Sequence, residues 1–180
     1  EAAHRVFYEV RQRAFLGEIL PGVRTPLWGY NGSVPGPTIR ARRGWETVVR
    51  QINELPARHP TLGYTPWTST HLHGMPSKPH CDGYASDRTL PGQWKDYVYP
   101  NSCTGRTLWY HDHGVHHTAE NVYMGLAAQY LLTDDLEDSL PVPKGAYDLP
   151  LIISDAMFAE DGSLLWDDAD RSGVWGDVIL

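Results

Sequence analysis

Apolar and polar residues alternate loosely along much of this chain, with a period nearer two than 3.6. That period puts successive side chains on opposite faces of an extended strand. Residues 5–15 carry it with β-forming side chains and predict a first strand. Gly/Pro punctuation follows at Pro21-Gly22, Pro26, Gly29, Asn31-Gly32 and Pro35-Gly36-Pro37, with a short segment at residues 27–30 between turns. Residues 38–41 and 46–52 predict two further strands, with Val48 and Ile52 on one side of the latter and Val49 on the other. Residues 54–68 are loop-like, and a strand follows over 68–73. A long loop, 74–95, carries Pro76, Pro79, Gly83, Pro91 and Gly92. Loops of that length inside a compact domain are usually functional. Strands are then expected at 96–99 and 106–111, one or two helical turns within 115–124, and a strand at 125–132. Residues 134–138 form a charged surface turn, 147–154 a strand, Asp161-Gly162 a hairpin-type turn, and 173–180 a final strand. About eight short strands separated by turns describe an all-β sandwich.

Two of these strands carry histidines two residues apart. One reads Thr70-His71-Leu72-His73-Gly74 and the other Leu108-Trp109-Tyr110-His111-Asp112-His113-Gly114. Each pair therefore shares one strand face. If the two strands lie side by side, four imidazoles converge on one small volume. Neutral imidazoles suit copper, zinc, iron or nickel, whereas magnesium and calcium take oxygen ligands. A single His-x-His is weak; two, each closed by glycine, are far more specific. Asp112 points to the opposite face, as a structural or ligand-orienting group, and Trp109 is placed with it. His116 is expected to orient a ligand by a hydrogen bond. His117, His4 and His59 are expected at the surface.

Composition narrows the setting. The 180 residues fit one domain with a sizeable core. The net charge of −7 disfavours a nucleic-acid partner. No stretch approaches the roughly 18 consecutive apolar residues of a membrane span. The two cysteines, Cys81 and Cys103, flank the histidine strands. Either a disulfide or two free thiols fits them. The opening Glu1-Ala2-Ala3-His4 is not a leader, although a processed secretory precursor fits it equally. The closing run Asp177-Val178-Ile179-Leu180 is apolar and lacks a stop signal, so the polypeptide is expected to continue or to pair with another chain.

Several stretches together resemble the multicopper oxidases, in particular the bilirubin-oxidase and spore-coat-laccase branch. They are Trp28-Gly29-Tyr30-Asn31-Gly32, Val34-Pro35-Gly36-Pro37-Thr38-Ile39, both histidine motifs, Asp82-Gly83, and Pro91-Gly92-Gln93-Trp94-Lys95-Asp96-Tyr97. Thr118-Ala119-Glu120-Asn121-Val122-Tyr123-Met124-Gly125, Leu149-Pro150-Leu151-Ile152-Ile153 and Trp175-Gly176-Asp177-Val178-Ile179 extend the match over nearly the whole chain.

The resemblance implies a cupredoxin-like Greek-key β-sandwich, the first of three such domains. Residues 1–173 would form it, and 174–180 would lead into a following domain or chain. It implies copper as cofactor. His71 would bind the type 2 copper, and His73, His111 and His113 the type 3 pair. Asp82 would relay protons to dioxygen during its reduction to water, although by itself an Asp-Gly pair reads as a turn. The type 1 copper needs a thiolate with two histidines. The family supplies it from the last domain, and His80-Cys81 is not followed by a histidine. The expected partners are therefore the remaining cupredoxin domains, as continued chain or separate polypeptide, together with O₂ and a small aromatic or tetrapyrrole reductant. A secreted location follows the family's habit. Two other readings remain open on residues alone: a cupin-like or zinc metalloenzyme, and a non-catalytic copper-binding module. Against the first, no glutamate follows His73 and no Asp-His lies just beyond it.

Overall fold

The structure, a computed structural model, describes residues 4–180. Strand β1 (Arg5–Leu20) turns at Pro21-Gly22 into β2 (Val23–Tyr30), and the two form an antiparallel hairpin. Gly22 sits at φ +76°, the left-handed conformation such a turn needs. This hairpin is longer than its sequence suggests, because Pro26 and Gly29 read as breakers. Strand β2 lies at a sheet edge, where a residue without an N–H is tolerated. Next come β3 (Ile39–Arg42), β4 (Glu46–Glu54), β5 (Thr70–His73), β6 (Trp94–Tyr99) and β7 (Arg106–Asp112). A short helix α1 (Thr118–Tyr123) precedes β8 (Ala127–Thr133).

These strands form two four-stranded sheets, ordered β2-β1-β4-β6 and β3-β8-β7-β5. Strand β1 pairs β4 in parallel and β3 pairs β8 in parallel; the other pairings are antiparallel. The expected sandwich is therefore present. Its core is the alternating set of inward side chains: Val10, Trp28, Tyr30, Val49, Tyr97 and Tyr99 from one sheet, and Leu72, Leu108, Tyr110, Tyr130 and Leu132 from the other. The side chains between them in β5 and β7, including His71, His73, Trp109 and His111, consequently stand on the outer face of the second sheet.

Asn101 anchors the end of β6 to both sheets. It is fully buried at φ +50°. Its amide donates to the Trp45 carbonyl (2.6 Å) and to Thr47 Oγ1 (2.9 Å), and its Oδ1 accepts from the Tyr130 hydroxyl (2.7 Å). Asn101→Ala leaves these partners unsatisfied and puts alanine in a conformation it disfavours. Urea melts are expected to show a loss of about 3 kcal/mol.

Three expectations are corrected in the last third. Residues 134–138 are more than a turn, because the Asp134 carboxylate accepts the Glu137 N–H (2.9 Å) and caps a short helix α2 (Asp135–Ser139). The strand expected at 147–154 is not formed: Gly145–Tyr147 is a tight 3₁₀ turn, residues 148–154 carry no strand, and Tyr147, Leu149, Leu151 and Ile153 are exposed. Of the strand expected at 173–180, only β10 (Val178–Ile179) pairs, with β9 (Asp155–Ala156). Alternation alone does not make a strand, which also needs a neighbour to receive its hydrogen bonds. Both cysteines are free. Cys81 is buried and takes the Val98 N–H (3.3 Å), and Cys103 Sγ donates to Met75 Sδ (3.6 Å). Among the described residues no helix is long and apolar enough to cross a membrane.

Candidate metal centre

Strands β5 and β7 pair antiparallel with His71 directly opposite His111 and His73 opposite Trp109. Leu72 and Tyr110 fill the core beneath, so the register that buries them also fixes the imidazoles on the outer face. His113 follows just beyond β7, held by its N–H donating to the Ser69 carbonyl (2.8 Å). The His71 ring centre lies 5.3 Å from that of His73, 5.5 Å from His111 and 5.4 Å from His113. Ligand atoms of His71, His73 and His111 all fall within 4.8 Å of one another. The four predicted histidines thus share one surface, with His113 beside the tightest three rather than among them.

Neighbouring carbonyls fix the tautomers. His111 Nδ1 donates to the Asp112 carbonyl (2.7 Å), and His71 Nδ1 donates to the Asp82 carbonyl. Each Nε2 is left with a lone pair, the form that ligates a metal. His111 Nε2 faces His73 Nδ1 at 3.4 Å. Burial pushes His111 down to about 4, so it is neutral over the ordinary pH range. His113 Nδ1 is buried without a hydrogen-bond partner. Converging neutral nitrogens and an orphaned buried one fit a borderline transition metal, copper included, and fit neither magnesium nor calcium.

Asp82 is brought beside His71 as well. It follows the tight turn Pro79–Cys81, and one carboxylate oxygen lies 3.5 Å from His71 Nδ1. The next residue, Gly83, lies against β5 at φ +72°; a Cβ there would come within 2.5 Å of the Thr70 carbonyl oxygen. The long loop therefore earns its length by seating an acid against the histidine strand.

Other assignments change. Trp109 shares the face of His111, not that of Asp112, and stacks on His111 (4.0 Å) and His73 (5.3 Å). Strand alternation demands this, since 109 and 111 are two apart. The burial of the next two histidines is the reverse of that expected: His116 is exposed at φ +68° and orients no ligand, while His117 is half-buried and stacked on Tyr64 at 3.6 Å. His59 is buried rather than exposed. Its Nδ1 accepts the Thr61 and Leu62 N–H groups, and its ring packs on Trp28 and Tyr64. These contacts come from a loop folding over α1, which no local pattern announces. Beside the histidine face, a largely apolar groove of about 970 Å³ runs from Trp109 and His111 to Leu151, Ile153 and Leu164.

Residues 16–136 match the model of a family described as multicopper oxidase. The chain is 44% identical over 176 residues to a bilirubin oxidase of Albifimbria verrucaria, covering 96% of this chain and 29% of that protein. It is 35% identical over 196 residues to a laccase of Bacillus subtilis, covering 96% of this chain and 38% of that one. The crystal structure of a multi-copper oxidase from Pediococcus acidilactici superposes with a TM-score of 0.85 at 31% identity, over 98% of this chain and 36% of the other. The sandwich is thus cupredoxin-like, and the chain spans about a third of the length of these relatives.

Proposed function

Because the chain belongs to the multicopper oxidase family, we propose that it forms the amino-terminal cupredoxin domain of a bilirubin-oxidase- or laccase-like enzyme and supplies half of its trinuclear copper centre. The carrying observation is the placing of His71 opposite His111, with His73 completing a group whose ligand atoms lie within 4.8 Å on an outward sheet face. Residues 1–173 make up the proposed domain, and 174–180 lead into the next. The type 1 copper, the site of the phenolic or tetrapyrrole-type reductant and the other cluster ligands belong to further cupredoxin domains. The outward face of the histidines and the neighbouring apolar groove support such an arrangement. Secretion, expected from the resemblance, is part of the same proposal.

When bound, the copper cluster would pass electrons from the reductant to O₂, four electrons and four protons giving two water molecules. This chain's residues prepare the site for it. His71 takes the type 2 position and directs Nε2 outward because the Asp82 carbonyl occupies its Nδ1. His73, His111 and His113 take the type 3 positions. Trp109 covers two of these rings and keeps water from one side. The Asp82 carboxylate, close to His71 yet partly exposed, is placed to pass protons between solvent and the cluster.

The first test is the intact mass and metal content of the native protein. A mass near three times this chain, with about four coppers, is the expected result, because type 1, 2 and 3 sites together require it. A 20.3 kDa monomer holding zinc or iron alone would sink the proposal and favour the cupin-like or hydrolase reading. For the proton role, Asp82→Asn is expected to keep full copper and to lower O₂ reduction by about a hundredfold, most strongly at high pH where protons are scarce. Unchanged turnover across the pH range would remove Asp82 from the relay.

A further inference from the structure

Asp112 lies between two of the proposed ligands, yet its side chain points away from them into the protein. It is completely buried. Its Oδ1 accepts the Ser69 N–H (2.8 Å), at the entrance to β5. Its Oδ2 accepts the Gly114 N–H (3.0 Å), at the exit of β7, and the Asn121 side-chain amide (2.8 Å), from α1. Asn121 is itself fixed, because its Nδ2 also donates to the Trp67 carbonyl (3.2 Å) and its Oδ1 accepts the Tyr64 hydroxyl (2.7 Å). Space is tight around this knot: a Cβ on Gly114 would lie 3.0 Å from the Trp67 carbonyl oxygen and 3.1 Å from Asp112 Oδ2. Through its backbone, the same residue accepts the His111 Nδ1 proton and pairs with Thr70.

We propose that Asp112 is the positioning residue of the copper centre, a buried carboxylate that clamps β5, the exit of β7 and α1 together and so holds His71, two residues beyond Ser69, with His111 and His113 in ligating orientation. Three donors converge on it from three separate segments, so it fixes distances no single strand could fix. A carboxylate is required because every partner is a donor. In Asp112→Asn the amide must turn its NH₂ group toward Ser69 or toward the Gly114 and Asn121 pair, and either choice sets donor against donor. The inference rests on the copper reading above, and comparison with the wild-type enzyme separates the two.

The test uses the full-length oxidase, loaded with Cu(II), with metal analysis and electron paramagnetic resonance as readouts. Asp112→Asn is expected to keep the blue type 1 copper while its affinity for cluster copper falls by about tenfold or more, with a shifted type 2 signal. Asn121→Ala, which leaves Asp112 its two backbone donors, is expected to shift the same signal by less. Cluster copper and spectra identical to wild type in Asp112→Asn overturn the inference. If Asp112→Asn also loses type 1 copper, or does not fold, Asn121→Ala decides: an unshifted signal there overturns it, and a shifted one upholds it. A wild-type enzyme without copper overturns the copper reading and this inference with it.

Discussion

Replacing His111 with alanine in the full-length enzyme is expected to empty the copper cluster and cut O₂ consumption by more than about a hundredfold, since even changes behind the ligands weaken metal sites 10–100-fold. His111 is the best prepared of the four histidines. It is buried and neutral, its Nδ1 is engaged by the Asp112 carbonyl, and its Nε2 faces His73. The fold is expected to survive. The ring stands on the outer sheet face, so its removal takes away stacking on Trp109 and leaves the sandwich core untouched, at a cost of about 1 kcal/mol. Copper per protein and oxygen uptake, measured together with a thermal melt, check all three parts. Full copper with undiminished uptake would remove His111 from the ligand set.

The second large effect is expected at Gly83. Its φ of +72° already disfavours any side chain, and a Cβ would meet the Thr70 carbonyl oxygen at 2.5 Å and the His71 N and Cα at 2.6 Å. All three are backbone atoms of the histidine strand and cannot swing aside. Gly83→Ala therefore pushes the loop off β5 and takes the Asp82 carbonyl away from His71 Nδ1. The expected loss is about 3 kcal/mol, the sum of left-handed strain and overpacking, or about 10 °C in Tm. Gly92→Ala is the matched control. Its φ is +86° with nothing near the added methyl group, so only the strain of about 1 kcal/mol is expected. Equal melting points for the two variants would show that the approach to β5 does not matter.

How far the sequence alone reached follows from which interactions are local. The histidine strands were legible because a period of two, a pair of imidazoles and a closing glycine all lie within a few residues. Their pairing was a supposition that only the ladder of Thr70 to Asp112 and His73 to Trp109 makes good. Trp109 is legible too: it lies two residues before His111, so alternation places it on the histidine face and not with Asp112. His59 and His117 were not legible, since their burial depends on Tyr64, Trp67 and Trp28 arriving from distant segments. The run at 147–154 carries the alternation of a strand with no strand beside it, and β2 is hidden by Pro26, which its edge position tolerates. Asp82 next to His71 came from family resemblance; by its residues alone it was a turn.

The two histidine strands also bear on the order in which the protein acquires its metal. His73 and His111, whose nitrogens face each other, are 38 residues apart in the chain, with the long loop and β6 between them. An unfolded chain offers a metal ion isolated His-x-His pairs, each far weaker than the assembled group. Closing that separation is driven by the core beneath, by Leu72 against Tyr110, and needs no metal. Copper capture is thus expected to follow folding: apoprotein refolded without metal should regain its sandwich and take up copper afterwards.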